Sequence, residues 1–105
     1  MKGLELISFK IIASVGTARS LYIEAVQLAK AGDMEGAKRM MEEGDRNFVE
    51  GHRAHVELIQ QEADDKPTEI NLLLVHAEDQ LMSADAFKII ASEFIDLYKK
   101  LEIKN

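Results

Sequence analysis

The chain contains no cysteine and no tryptophan, one proline, six glycines and six aromatic Phe or Tyr residues in 105 positions. Without cysteine there are no disulfides, no thiolate metal ligands and no thiol nucleophile. A single proline and few glycines leave little punctuation for a many-stranded fold, whereas abundant Ala, Leu, Glu and Lys favour helix. No continuous apolar run approaches the ~18 residues of a membrane span. The start, Met1-Lys2-Gly3-Leu4-Glu5, lacks the apolar core and small-residue cleavage site of a secretory leader. Basic residues are in the minority: 13 Lys and Arg against 19 Asp and Glu give a net charge of −6. That balance argues against nucleic acid or anionic lipid as partner. Glycine-rich phosphate loops, serine-nucleophile motifs and the Glu-x-x-His pairs of di-iron bundles are all missing.

Two short breaks divide the chain. At Ala31-Gly32-Asp33, Gly32 suits the left-handed position after a helix and Asp33 suits the next N-cap. At Asp64-Asp65-Lys66-Pro67-Thr68, Pro67 disfavours helix at Lys66 and Thr68 is placed to cap the third helix. The expected helices run over about 4–31, 34–63 and 69–101. Short connections make neighbours antiparallel, so the expected fold is all-α: an up-down-up three-helix bundle forming a single domain over 1–105.

The first helix carries an apolar stripe of Leu4, Ile7, Ile11, Ala18, Leu21, Ala25 and Leu28, interrupted by Ser14. Gly16 within it implies either a close helix crossing or room for a ligand or partner. The second is the most polar, with Ala37, Met41, Phe48 and Leu58 on one stripe and Gly44, Gly51 and His55 in its gaps. Met40 and Met41 read as core filler.

The third helix is different. Asn71, Glu78, Asp85, Ser92, Asp96 and Lys99 share one polar sector. One apolar stripe holds Leu73, Ala77, Ala84, Phe87, Ala91, Phe94 and Tyr98. A second, on another face, holds Leu72, Val75, Met82, Ala86, Ile90 and Leu97. A lone bundle needs one buried stripe per helix. The surplus stripe implies a homo-oligomer with this helix inside.

Asp79 sits in the middle of that second stripe. A carboxylate there must be protonated, hydrogen-bonded or bound to a cation. Symmetry copies of Asp79 meeting around a hard divalent ion such as Mg2+ would satisfy it. His76 lies on the seam between the two stripes with Gln80 and Ser83. It reads either as a structural histidine or as a phosphoryl acceptor, since imidazole is nucleophilic near neutral pH. His52 and His55 are an i, i+3 pair without an evident third ligand. Glu78, Asp85 and Asp96 read as a solvated face.

Gly16-Thr17-Ala18-Arg19-Ser20-Leu21, Ala29-Lys30-Ala31-Gly32-Asp33, Glu50-Gly51-His52 and, above all, Leu74-Val75-His76-Ala77-Glu78-Asp79-Gln80-Leu81-Met82 carry a resemblance. Together they are similar to the IIA component of the lactose/cellobiose/chitobiose class of the phosphoenolpyruvate-dependent sugar phosphotransferase system. The resemblance implies a cytoplasmic homotrimer of three-helix subunits, a nine-helix bundle. It implies that His76 accepts phosphate from the phosphocarrier HPr and passes it to a cysteine of a IIB component, for uptake of a β-linked disaccharide. It implies that Asp79 meets its two mates around a divalent metal ion on the trimer axis. Four positions depart from the family pattern: Glu78 where relatives often have Gln, Gln80 where they often have His, and His55-Val56 where they often have Gln-Thr. The competing reading is a non-enzymatic oligomeric helical adaptor that keeps the fold.

Overall fold

The computed structural model describes residues 3–104, with side chains to Glu102, so Met1 and Lys2 lie outside the described residues. Three helices make up the chain: α1 (Gly3–Lys30), α2 (Met34–Ala63) and α3 (Leu72–Lys104). They run up, down and up as expected, in a body of 57 × 24 × 20 Å.

The first turn forms as its residues dictate. Gly32 takes φ 92°, a conformation open to glycine at no steric cost. The Asp33 amide reaches back to the Leu28 carbonyl at 2.8 Å. The Asp33 carboxylate then accepts from the Gly36 amide at 2.8 Å, capping α2. The second break is longer than the composition suggests. Asp65 ends α2 in the left-handed region at φ 60°, which Asp tolerates better than most residues. Thr68 does not cap α3. Asn71 does, accepting from the Leu74 amide at 2.9 Å, and α3 therefore starts at Leu72 rather than 69. Thr68 instead accepts a 3.4 Å hydrogen bond from Gln61.

The central helix of the subunit is α1. It packs along both α2 and α3, while those two touch little. That position explains its composition: among the described residues α1 is the one helix long and apolar enough over an 18-residue window to pass for a membrane span by length and composition, although polar residues interrupt every apolar run within it. It also widens the buried face beyond the expected stripe. Ser8, Val15, Tyr22 and Ala29, one heptad row, are all buried. Opposite them on α2 runs Ala37, Gly44, Gly51 and Leu58, also buried. The fit is of large onto absent: a Cβ on Gly44 would stand 2.6 Å from the Tyr22 ring, and one on Gly51 would stand 2.5 Å from Val15. On α3 the row Ala77, Ala84 and Ala91, with Leu74 and Leu81, closes the core. Met40 and Met41 pack on the Ala25–Ala29–Ala37 end of it.

Between α2 and α3 lies a groove lined by residues of those helices and the loop that joins them. It widens into hollows of about 280, 180 and 460 Å³. Two polar links cross it: His55 to Glu78 and Asp45 to Lys88.

Candidate functional site

The surplus stripe of α3 stays uncovered. Leu72 is 84% exposed, Met82 65%, and Val75, Ile90 and Leu97 about half. Asp79 stands among them, exposed and without a hydrogen-bond or ion-pair partner among the described residues. The reading of a hydrogen-bonded core aspartate therefore fails within one chain. Among the described residues no three His, Asp or Glu side chains of a single chain converge to hold a metal. Asp79 alone supplies one hard oxygen ligand set. Several copies converging would supply what Mg2+ takes, so the residue fits such an ion only in an assembly.

His76 is exposed on the neighbouring seam. Helix α3 sets its direction: Ala77 is buried against α1, so its predecessor is turned about 100° out of the core. Ser83, two turns on, returns to the same face. There it accepts a 3.2 Å hydrogen bond from Arg19 of α1, whose guanidinium also lies 6.0 Å from the centre of the Phe87 ring. The seam carries His76, Gln80 and Ser83 of α3, and Arg19 of α1 reaches its Ser83 end. Sequence reasoning placed the first three and missed Arg19. The signal was present, since Arg19 interrupts an otherwise apolar helix face.

Gly16 lies one turn before Arg19. A Cβ there meets nothing within 4 Å, so no helix of this subunit crosses close by. The space it leaves faces outward.

The remaining candidates sit on the other side of α3. His55 and Glu78, expected respectively in an i, i+3 histidine pair and on a solvated face, meet across the groove with the imidazole Nδ1 2.6 Å from a carboxylate oxygen. Two of the four departures from the family pattern are therefore one contact. His52 stacks on Phe48 at a ring separation of 6.1 Å and lies tilted to the His55 ring at 6.2 Å. Further along, the buried Tyr22 hydroxyl donates to Asp45 at 2.7 Å, and Asp45 also takes Lys88 at 3.2 Å. Burial and the Asp45 carboxylate push the Tyr22 hydroxyl well above its ordinary value of 10.0. The His55–Glu78, Tyr22–Asp45 and Lys88–Asp45 contacts tie the helices together.

Residues 6–99 match the profile of the family described as PTS system, Lactose/Cellobiose specific IIA subunit. The lichenan-specific phosphotransferase enzyme IIA component of Bacillus subtilis (strain 168) is 42% identical over 98 residues, covering 93% of this chain and 89% of that one. The fold superposes on the cellobiose-specific enzyme IIA of Bacillus anthracis with a TM-score of 0.96 at 48% identity, over 100% of this chain and 96% of that one. It also matches the IIA(Chitobiose) structure solved in complex with HPr from the Escherichia coli N,N'-diacetylchitobiose branch, with a TM-score of 0.83 at 33% identity, over 97% of this chain and 99% of that one.

Proposed function

The chain belongs to the lactose/cellobiose-specific IIA family of the sugar phosphotransferase system, and on that premise we propose that it is a cytoplasmic phosphocarrier with His76 as the acceptor and donor. The observation that carries this reading is the placement of His76. Its imidazole is exposed on a polar seam of α3, inside the motif Val75-His76-Ala77-Glu78-Asp79, and no carboxylate of the described chain holds it. His52 packs against the Phe48 ring and His55 is hydrogen-bonded to Glu78 instead.

The chemistry is an in-line exchange of P–N and P–S bonds. A neutral imidazole nitrogen of His76 attacks the phosphorus carried by HPr. The P–N bond to the donor breaks as the bond to His76 forms. The phosphoramidate so made is itself a good donor. A thiolate of the IIB component then attacks the same phosphorus, and the P–N bond to His76 breaks, restoring the free imidazole. The sugar is a β-linked disaccharide, bound elsewhere in the permease.

The subunit acts as a homotrimer, with α3 innermost. A row of exposed Leu72, Val75, Met82, Ile90 and Leu97 is more apolar surface than a monomer keeps in water without consequence. Three such rows packed about an axis bury it, and they bring three Asp79 carboxylates together. A divalent ion such as Mg2+ held there supplies the charge that offsets their repulsion.

Incubation with phosphoenolpyruvate, the first enzyme of the system and HPr should label the protein with an acid-labile phosphohistidine. His76→Ala should abolish labelling while leaving helicity and oligomer size unchanged. Full labelling of His76→Ala would refute the assignment. No labelling of the parent chain would leave an oligomeric adaptor as the reading.

A further inference from the structure

The α2–α3 groove holds an apolar hollow that no described residue fills. Its volume is about 280 Å³, and it is walled by Leu58 and Ile59 of α2, Ile70 of the connecting loop, and Leu74 and Val75 of α3. Leu58 and Leu74 are buried and form its floor. Its rim is open, with Ile59 53% exposed, Ile70 75% and Val75 51%. A cavity of ~150 Å³ lined by such side chains holds a benzene-sized group. This one therefore takes a large aliphatic or aromatic side chain with room to spare. Its polar lining includes Glu62 and the joined pair His55 and Glu78.

The charge around the hollow selects what can enter it. Residues 50–78 form the second half of α2, the connecting loop and the first turns of α3. They hold seven Asp or Glu and two Lys or Arg, a net charge of −5, which is nearly all of the chain's −6. Ion pairs neutralise little of it: Glu50 binds Arg53, and Glu78 binds His55. Glu57, Glu62, Asp64, Asp65 and Glu69 are exposed and have no cationic partner among the described residues. A second copy of the chain brings the same charge, so this end does not pair with itself. Nucleic acid and anionic lipid are repelled for the same reason. An apolar hollow with an acidic surround is complemented by apolar side chains flanked by Lys or Arg.

We propose that this hollow is the docking site for a basic amphipathic segment of another protein, which lays its apolar face on Ile59, Ile70 and Val75 and turns its Lys or Arg side chains toward the acidic rim. Helices α2 and α3 touch little, and an open groove between two helices can receive the apolar face of a third. The site is distinct from the acceptor. Glu78, on its wall, and His76 are two residues apart in α3 and project about 160° from one another. A segment held in the hollow leaves the imidazole open, so it can keep the chain beside a partner without occupying His76. Val75 also belongs to the exposed stripe of α3, which puts the hollow at the edge of the face that the proposed trimer would bury.

Three synthetic peptides test this on the full chain: a helical one with a Leu-rich face and a Lys-rich face, its counterpart with Glu for Lys, and a scrambled Lys peptide with no apolar face. Fluorescence anisotropy reads binding, and methyl NMR of the protein reads its place. The Lys peptide should bind and shift the Ile59, Ile70 and Val75 methyl resonances. The Glu and scrambled peptides should each bind at least about tenfold more weakly, and raising salt from about 0.05 to about 0.5 M should weaken the Lys peptide by a similar factor. Ile70→Ser, at an exposed loop position, should lower its affinity by about fivefold or more. Glu62→Gln combined with Glu69→Gln should flatten the salt dependence. Failure of the Lys peptide to bind, or equal binding of the Lys and Glu peptides, would overturn the proposal. So would methyl shifts confined to the residues around His76, since the peptide would then occupy the acceptor seam. Ile59 and Ile70 methyls shielded from a soluble paramagnetic probe in the free protein would overturn it too, because a second copy of the chain would then fill the hollow.

Discussion

Adding one methyl group to Gly44 should destabilise the subunit, although helix propensity alone predicts the opposite. Within a helix, Gly→Ala gains about 1 kcal/mol. Here the new Cβ would stand 2.6 and 2.9 Å from two carbons of the Tyr22 ring and 3.2 Å from a third, where ordinary carbon contacts begin near ~3.5 Å. The ring is fully buried, so it cannot swing into solvent. Tilting it pulls its hydroxyl from Asp45, now 2.7 Å away. Overpacking costs about 1–3 kcal/mol and a strained or lost hydrogen bond about 0.5–1.5 kcal/mol. Against the propensity gain, the net loss is about 1–3 kcal/mol, or a fall in Tm of several to ~20 °C for a domain of this size. Gly16→Ala is the control: its Cβ meets nothing within 4 Å, so only the gain of about 1 kcal/mol remains. Urea unfolding at one fixed protein concentration compares the two. A Gly44→Ala protein as stable as Gly16→Ala would show that α1 and α2 do not pack Tyr22 against Gly44.

Ser8 is fully buried with its hydroxyl unpartnered, so Ser8→Ala should raise unfolding stability by about 1 kcal/mol or more, by removing an unsatisfied group and improving helix propensity. Tyr22 keeps its proton in the fold to a pH well above the 10.0 at which it is lost once unfolded; its contribution is therefore complete below pH 10.0 and declines as pH rises beyond it, and Tyr22→Phe should flatten that alkaline loss in pH-dependent urea titrations. For His55 and Glu78, 26% and 31% exposed, a double-mutant cycle with His55→Gln and Glu78→Gln should give a coupling of about 0.5–1 kcal/mol that shrinks in high salt, and additive single effects would show that the two residues do not communicate. Sedimentation velocity should find that Asp79→Leu gives a trimer indifferent to chelators, that Asp79→Lys dissociates, and that chelator weakens the parent; an Asp79→Lys trimer would place the subunit interface elsewhere.

What the sequence disclosed depended on the range of the interaction. Gly32 and Asp33 act within four residues, and the first turn was readable from them. Thr68 was the expected cap of α3, yet Asn71 takes that place, because the irregular stretch after Pro67 runs on to Asn71 before α3 begins. The heptad row Ser8, Val15, Tyr22 and Ala29 escaped the periodicity because its partner row contains glycines. Gly44 and Gly51 score as gaps in an apolar stripe, yet they are what admits Tyr22 and Val15, and complementarity of that kind belongs to neither helix alone. Glu78 looked solvated and His55 looked like half of a histidine pair for the same reason, since neither residue type announces a partner 23 positions away. Helix α3 shows the converse. Its second apolar stripe was plain in the sequence, and the folded chain leaves that stripe open. Leu72, Val75, Met82 and Ile90 have the composition of a core and the exposure of a surface, with a lone carboxylate at their centre. Burial within one chain cannot account for such a row. The mismatch marks the face that the proposed trimer would bury, and it lies beside the seam on which His76 is exposed.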